Sequence, residues 1–267
     1  MPDFGPRIAA IEKAVTYPLG DDFFHIDHGP DYFAFFRRMG RLAYLVAERG
    51  DEVLGMLAAV RRELPGEAGG PAWYVGDLKV ADRGRGLFLA RRLLRALAEQ
   101  GGPSRYFGIS MNPGGSGSNR VVQLITRMYP QAQVARALHF YSLDADPMRA
   151  ARPILEQHRG RIAYRSMRGM KDIILATTGR PMPLLHVQHS PVAELRGAAG
   201  DHLEEQRGHV HMFCCPVDDD LDRGVRAQGL VPTASATILC ADGESGARRS
   251  VFHASNLDWS FVLTSDI

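Results

Sequence analysis

Two arginines and two glycines stand where an apolar-alternating run gives way to a helical one, in GDLKVADRGRGLFLARRLL, Gly76 to Leu94. A helix start leaves four backbone N–H groups without intrahelical acceptors and carries partial positive charge. Glycines ahead of it let those donors come close to an anion, which makes a phosphate nest. Gly84 and Gly86 supply the glycines, and Arg83 and Arg85 add two cations. The segment fits a phosphate or pyrophosphate. It is not a Walker loop, because no Gly-Lys-Ser/Thr follows. It is a poor dinucleotide fingerprint, because Leu89 stands where a third glycine belongs. Taken alone, it reads equally well as a solvated turn ahead of a basic helix.

The elements that would position this turn are legible in the flanking pattern. Pro30–Gly40 reads as a short helix, with Pro30 and Asp31 in its first turn and Gly40 at its end. Arg41–Arg49 and Glu52–Leu64 read as two strands around the turn Gly50-Asp51, and Ala72–Val80 as a third. From Gly86 to Gln100, Ala90, Leu93, Leu94 and Leu97 recur at helical spacing, with Arg91, Arg92 and Arg95 off that stripe. Arg105–Asn112 is a further strand. Asn119–Met128 is a helix with Ser118 as its expected cap, and Gln133–Leu143 is a strand. Asp144 to Pro153, charged and carrying two prolines, is the expected boundary between residues 1–146 and 147–267. Beyond it, strands are expected at KDIILATTG, PLLHVQHS, His209–Val217, LVPTASATILC and DWSFVLTSDI, with a short helix at DDDLDRGVRAQG. The strand–helix–strand series from His209 to Cys240 echoes that from Arg105 to Leu143, which suggests a weak structural duplication.

LKVADRGRGLFLARRLL resembles the acyl-CoA-binding motif of the GNAT family of N-acyltransferases: a strand ending Leu-x-Val, a loop, then Arg-x-x-Gly-x-Gly/Ala opening a helix. Leu78, Val80, Arg83 and Gly86 match, and Phe88 departs at the last position. The segment before it resembles that family's first helices and strand pair, and SGSNRVVQLI its later helix. The resemblance covers about Phe23 to Leu143. It implies an α/β fold with a mixed, largely antiparallel central sheet flanked by helices, tandem if the C-terminal part is a second, degenerate copy. It also implies that the strand before the loop and the strand after the helix splay apart around the pantetheine arm. Leu78, Val80, Arg83, Gly84, Arg85, Gly86, Leu87 and Asn119 would then hold acetyl-CoA or another acyl-CoA, with the thioester carbonyl on the N–H near Leu78. A primary amine of a small molecule or peptide would attack directly. Asp77 is the first candidate base; read otherwise, it is a strand-edge aspartate that bonds only backbone or Lys79. Where the family's proton-donating tyrosine is expected, this chain has Thr126, which leaves Tyr129 and Tyr141 as substitutes, each also readable as packing. Tyr32 and Phe33 are candidates for the acceptor wall, or else core aromatics. Two other readings stay open: a CoA-binding module without catalysis, and a long-chain acyl donor on an acidic carrier protein meeting Arg91, Arg92 and Arg95.

The remaining features narrow the field. A net charge of +2 over 267 residues lacks the basic excess of a nucleic-acid binder. No apolar run is long enough to span a membrane, and the first residues show no secretion signal. Three cysteines, Cys214 and Cys215 adjacent and Cys240 apart, read as a reduced cytoplasmic set. His186-x-x-His189 and His209-x-His211 lack partners at zinc spacing, so no metal is expected. Asp218, Asp219 and Asp220 read as the cap of the next helix. The C-terminal part would shape the acceptor pocket or a homodimer.

Overall fold

The computed structural model describes residues 4–66, 69–102, 104–114, 117–189, 201–242 and 257–267. Its elements run α1 (Gly5–Lys13), β1 (Tyr17–Leu19), β2 (Asp22–Asp27), α2 (Ala34–Arg37), β3 (Arg41–Arg49), β4 (Glu52–Leu64), β5 (Gly70–Val80), α3 (Leu89–Gly101), β6 (Arg105–Met111), α4 (Arg120–Met128), β7 (Gln133–Leu143), α5 (Ala145–Arg159), β8 (Ile162–Ser166), β9 (Asp172–Leu175), β10 (Leu184–His189), β11 (Asp201–His202), β12 (Val210–Pro216), α6 (Asp220–Ala227) and β13 (Ala234–Asp242).

Among the described residues, ten strands form one sheet in the order β11-β8-β10-β12-β7-β13-β6-β5-β4-β3, and β1-β2-β9 form a second, small one. The large sheet is antiparallel except at two places, β5 beside β6 and β10 beside β12. The echo read in the sequence is a duplication of topology. The units β6–α4–β7 and β12–α6–β13 interleave, each giving its last strand to the space between the other's two, so that β7 and β13 pair antiparallel at the centre. The boundary expected at 146/147 falls in the first turn of α5, and the sheet runs across both parts.

Successive strand residues point to opposite faces, and both faces here are covered. On one, α3 packs Leu93 and Leu97 on Leu57, Ala59 and Trp73, while α5 and α6 pack Met148, Leu155, Leu221 and Val225 on Tyr141 and Phe213. On the other, α1 and α2 cover Met56, Ala58 and Val60. There too the small sheet, with Phe24 and Ile173, packs against Tyr74, Phe107, Phe140, Met212 and Ile238.

Four local expectations are corrected. The helix expected from Gly86 begins at Leu89, because Asp82–Gly84 is a 3-10 turn and Phe88 takes a left-handed conformation, φ 53°. The helix expected over Pro30–Gly40 shrinks to Ala34–Arg37, since the Asp31 carbonyl and carboxylate bind the Ala34 and Phe33 N–H groups in a turn ahead of it. Asn119, rather than Ser118, caps α4, accepting from the Val121 and Val122 N–H groups at 3.1 Å each. DWSFVLTSDI is not a strand but two 3-10 turns, Trp259–Phe261 and Thr264–Asp266, held by Arg62 and Arg38 on the Asp266 carboxylate at 2.9 and 3.1 Å. The aspartates do cap α6, with Asp219 Oδ1 accepting from the Asp222 N–H at 2.6 Å. All three cysteines are buried free thiols.

Candidate active site

β5 and β6 pair only from Ala72–Arg105 to Val75–Gly108. Beyond that point β5 runs on to Val80 with β4 as its neighbour, β6 runs on to Met111 with β13, and the two part. The divergence has a local cause. Gly76 faces Ala58 and Lys79 faces Met56, so β5 spends three steps where β4 spends two. This is a β-bulge, and bulges bend the strand that carries them. Asp77 takes its left-handed turn, φ 52°, a conformation that aspartate tolerates better than most side chains. The residue singled out for chemistry is thus also the residue that opens the sheet.

A cleft of about 1880 Å³ runs through the gap, larger than the ~300–1,000 Å³ of most ligand pockets. Leu78 and Val80 line it on β5, Ile109 on β6, Leu94 on α3 and Ile125 on α4. Asn119 lines it as well, but its side chain is engaged: besides capping α4, its amide donates to Asn112 Oδ1 at 2.9 Å and Ser110 Oγ at 3.2 Å, fastening the helix to β6.

The glycine–arginine turn stands at the solvent end of α3. A side chain on Gly84 would come within 2.6 Å of the Leu54 carbonyl, so the turn lies close against β4, and Gly86 has φ 80°. Arg83 and Arg85 project outward with side chains 78% and 76% exposed, loosely paired with Glu52 at 3.3 Å and Asp82 at 2.8 Å. Surface pairs of this kind are worth little, so either cation can turn to an anion at small cost. The N–H groups of Leu89, Ala90 and Arg91 have no intrahelical acceptor, and no side chain caps them. Phe88 departs from the motif in its side chain but not in its backbone: the position is left-handed, the conformation for which glycine is the default, and the ring is 75% exposed. Leu87 beside it is also exposed.

Inside the cleft Asp77 belongs to a buried cluster. Lys79 Nζ donates both to Asp77 Oδ1 and to Glu12 Oε2 on α1, and Tyr32 donates to the same Glu12 oxygen at 3.3 Å. Burial, with Asp77 beside it, pushes the Glu12 carboxyl up to about 8 against the pull of Lys79. Burial works against the Lys79 ammonium, and Asp77, Tyr17 and Glu12 outweigh it and hold the charge. One ammonium therefore serves two carboxyl groups, and burial holds that of Glu12 above its ordinary value. Among the described residues Asp77 Oδ2 is buried without a hydrogen-bond partner.

His28 sits next to this cluster, also lining the cleft. Its Nδ1 lies 3.1 Å from the Met170 carbonyl, so it carries the proton and leaves Nε2 as an acceptor. The ring packs against Tyr32, Phe35 and Phe36 at 4.8, 5.1 and 5.5 Å. Burial lowers its imidazole to about 4, with Asp77 pulling the other way.

Other candidates move. Tyr141 is not in the cleft: it points to the α5/α6 face, stacks on Phe213 at 5.0 Å, and donates to Asp222 Oδ1 at 2.7 Å. Odd and even positions of β7 face opposite sides, which sends Phe140 to the cleft and Tyr141 away. Tyr129 does line the cleft, and its hydroxyl donates to the Arg91 carbonyl at 3.3 Å, tying α4 to α3. Tyr32 and Phe33 are packed against Tyr44 at 6.0 and 4.8 Å, and the rings of that helix facing the cleft are Phe35 and Phe36. Thr126 bonds back to the Val122 carbonyl at 2.9 Å. Glu12, Lys171 and His186 join the cluster or the cleft lining without having been singled out for it. Among the described residues no three His, Cys, Asp or Glu stand together as metal ligands, and no helix is long and apolar enough to cross a membrane.

No family model matches the chain, and no curated protein matches it. Solved structures do. A tandem GNAT protein from the clavulanic acid biosynthesis pathway is 17% identical, covers 90% of this chain and 95% of its own, and superposes with a TM-score of 0.52. A putative acetyltransferase from Thermoplasma acidophilum is 13% identical over 74% of this chain and 78% of its own, TM-score 0.38. A GCN5-related N-acetyltransferase from Sphaerobacter thermophilus is 10% identical over 76% and 81%, TM-score 0.38. The first likeness spans both halves, and with the interleaved topology it gives this chain the tandem GNAT fold.

Proposed function

We propose, from the premise of a tandem GNAT fold, that the chain is an acyl-CoA-dependent N-acyltransferase that moves an acyl group, most simply acetyl, to a primary amine by direct attack in a ternary complex. The observation that carries the reading is the parting of β5 and β6 after Val75 and Gly108, with a glycine–arginine turn opening the helix between them. In this reading the pyrophosphate of CoA lies on the N–H groups of Leu89 to Arg91 with Arg83 and Arg85 beside it. The pantetheine arm enters between α3 and α4 and pairs with the open edge of β5. The thioester carbonyl accepts a hydrogen bond from the backbone near Leu78, where negative charge develops as the amine attacks. Asp77 Oδ2, buried and free, takes the amine's proton. The amine nitrogen forms the amide bond, the C–S bond breaks, and CoA leaves as thiolate, tolerable near neutral pH without a dedicated acid.

A second reading has an observation of its own. The Tyr129 hydroxyl is given to Arg91 and that of Thr126 to its own helix, so α4 offers no free acid, as a CoA-binding module without turnover would have it. Release of free thiol from acetyl-CoA across a panel of primary amines separates the two. The enzyme reading expects amine-dependent release. Tight CoA binding with no release from any amine would replace it with the module.

A further inference from the structure

The second parallel pair repeats the first. β10 and β12 pair from Leu184–Val210 to His186–Met212, and β10 then continues with β8 alone while β12 continues with β7. This second notch is filled from within the chain. Thr264 Oγ1 donates to the Met212 carbonyl at 3.1 Å, Ser265 Oγ accepts from Gln188 Nε2 at 3.1 Å, and Lys171 Nζ donates to the Thr264 carbonyl at 2.9 Å and to the Ile267 carbonyl. Yet His186, Lys171 and Thr264 also line the large cleft, so the filled notch of the second half is the far wall of the cavity opened by the first.

One atom on that wall has no partner among the described residues. His186 is 1% exposed, and its Nε2 is buried without a partner among the described residues. Its Nδ1 lies 2.9 Å from Thr264 Oγ1. A hydroxyl has one proton, and that of Thr264 goes to Met212, so the hydroxyl oxygen accepts from Nδ1–H. The tautomer is thereby fixed, leaving Nε2 as a bare acceptor. Burial, with Lys171 and Arg38 nearby, lowers the imidazole well below its ordinary value and keeps it neutral. Besides Lys171 and Thr264, the cleft lining includes the apolar side chains of Met212, Ile173 and Phe140, which pack together.

We infer that His186 Nε2 is the specificity point of the acceptor site: it accepts a hydrogen bond from an O–H or N–H donor at the distal end of an amine whose body is apolar. This deepens the acyltransferase reading and rests on it for the word acceptor; the binding contact itself does not need acyl-CoA. An unmet buried acceptor costs free energy, so a ligand with a donor fills it and a ligand lacking one is rejected. Sites built to bond a hydroxyl discriminate strongly against analogues without it.

The probes are tyramine, which ends in a hydroxyl donor, and O-methyltyramine, which ends in an acceptor only. Calorimetry with the full chain, without CoA, is expected to give tyramine at least an about tenfold tighter Kd. His186→Phe, checked for native fold by circular dichroism, is expected to bind the two alike. Thr264→Val, which frees Nδ1 to lose its proton to Nε2, is expected to narrow or reverse the preference without emptying the cavity. Equal binding by wild type, a preference kept in folded His186→Phe, or no binding of either amine would overturn the inference. A CoA titration on the same protein is read separately: failure there with the donor preference intact overturns the acyltransferase reading and not this contact.

Discussion

Replacing Lys79 with methionine is expected to destabilise the protein by about 3–5 kcal/mol, the usual cost of removing one partner from a buried ion pair. Lys79 is 7% exposed and Glu12 2%, and the ammonium is the cation that Asp77 and Glu12 share. Methionine keeps the length and apolar stem of the side chain, so the loss reads out charge rather than volume. With most domains stable by about 5–15 kcal/mol, a urea melt resolves the effect easily. A change below about 1 kcal/mol at constant m would mean that the cluster is not held by this ion. The same cluster sets a pH dependence of unusual sign. The Glu12 carboxyl is raised from 4.5 to about 8 in the folded chain, so folding favours its protonated form. Its contribution is fully present below about 4.5 and is lost as pH rises towards about 8. Measured against Glu12→Gln, which is always neutral, wild type therefore loses ground across that window and holds level outside it. An ordinary paired carboxylate, held below its usual value, would gain with rising pH only below about 4.5 and hold level across that window.

Asp77→Asn is expected to lower kcat by about 10²–10⁴, the range for a lost general base, while acetyl-CoA binding is retained. Asparagine preserves the shape and tolerates the left-handed backbone that bends β5, so the splay should survive. A kcat within tenfold of wild type would move the base elsewhere. His28 is the neighbour to test next, because it lines the same cleft as a neutral imidazole with a free Nε2.

The legibility of this site in the sequence follows from how local each part is. The strand–turn–helix order around Arg83 to Gly86 lies within twenty residues, and its pattern specifies the turn, while the splay is expected only through the family resemblance. The bulge at Asp77 leaves no mark in composition; only the register of β4 against β5 exposes it. Glu12 is brought to Lys79 from 67 residues away, by a helix that was not anticipated. Tyr141 does not substitute for the tyrosine missing at Thr126, because strand parity decides which face a side chain takes and turns residue 141 away from the cleft. The duplication was audible in one strand–helix–strand echo, but the exchange of last strands between halves is a matter of long-range pairing that no local pattern encodes. The late strand expected over DWSFVLTSDI failed for a related reason: its polar residues are claimed by Arg38, Arg62, Lys171 and His186, all more than 75 residues distant.

The central claim is that the gap after Val75 and Gly108, with the turn at Arg83–Gly86, holds acyl-CoA. Calorimetric titration of the full chain with acetyl-CoA tests it most directly, alongside Arg85→Glu. Arg85 is exposed and among the described residues its side chain pairs with Asp82 alone, so the exchange leaves the fold alone and reverses one charge at the pyrophosphate. The account predicts one acetyl-CoA per chain and an affinity about tenfold or more weaker in Arg85→Glu, the worth of one charge-assisted hydrogen bond. No binding of any CoA species by the folded wild type, or identical affinity in the variant, would contradict it.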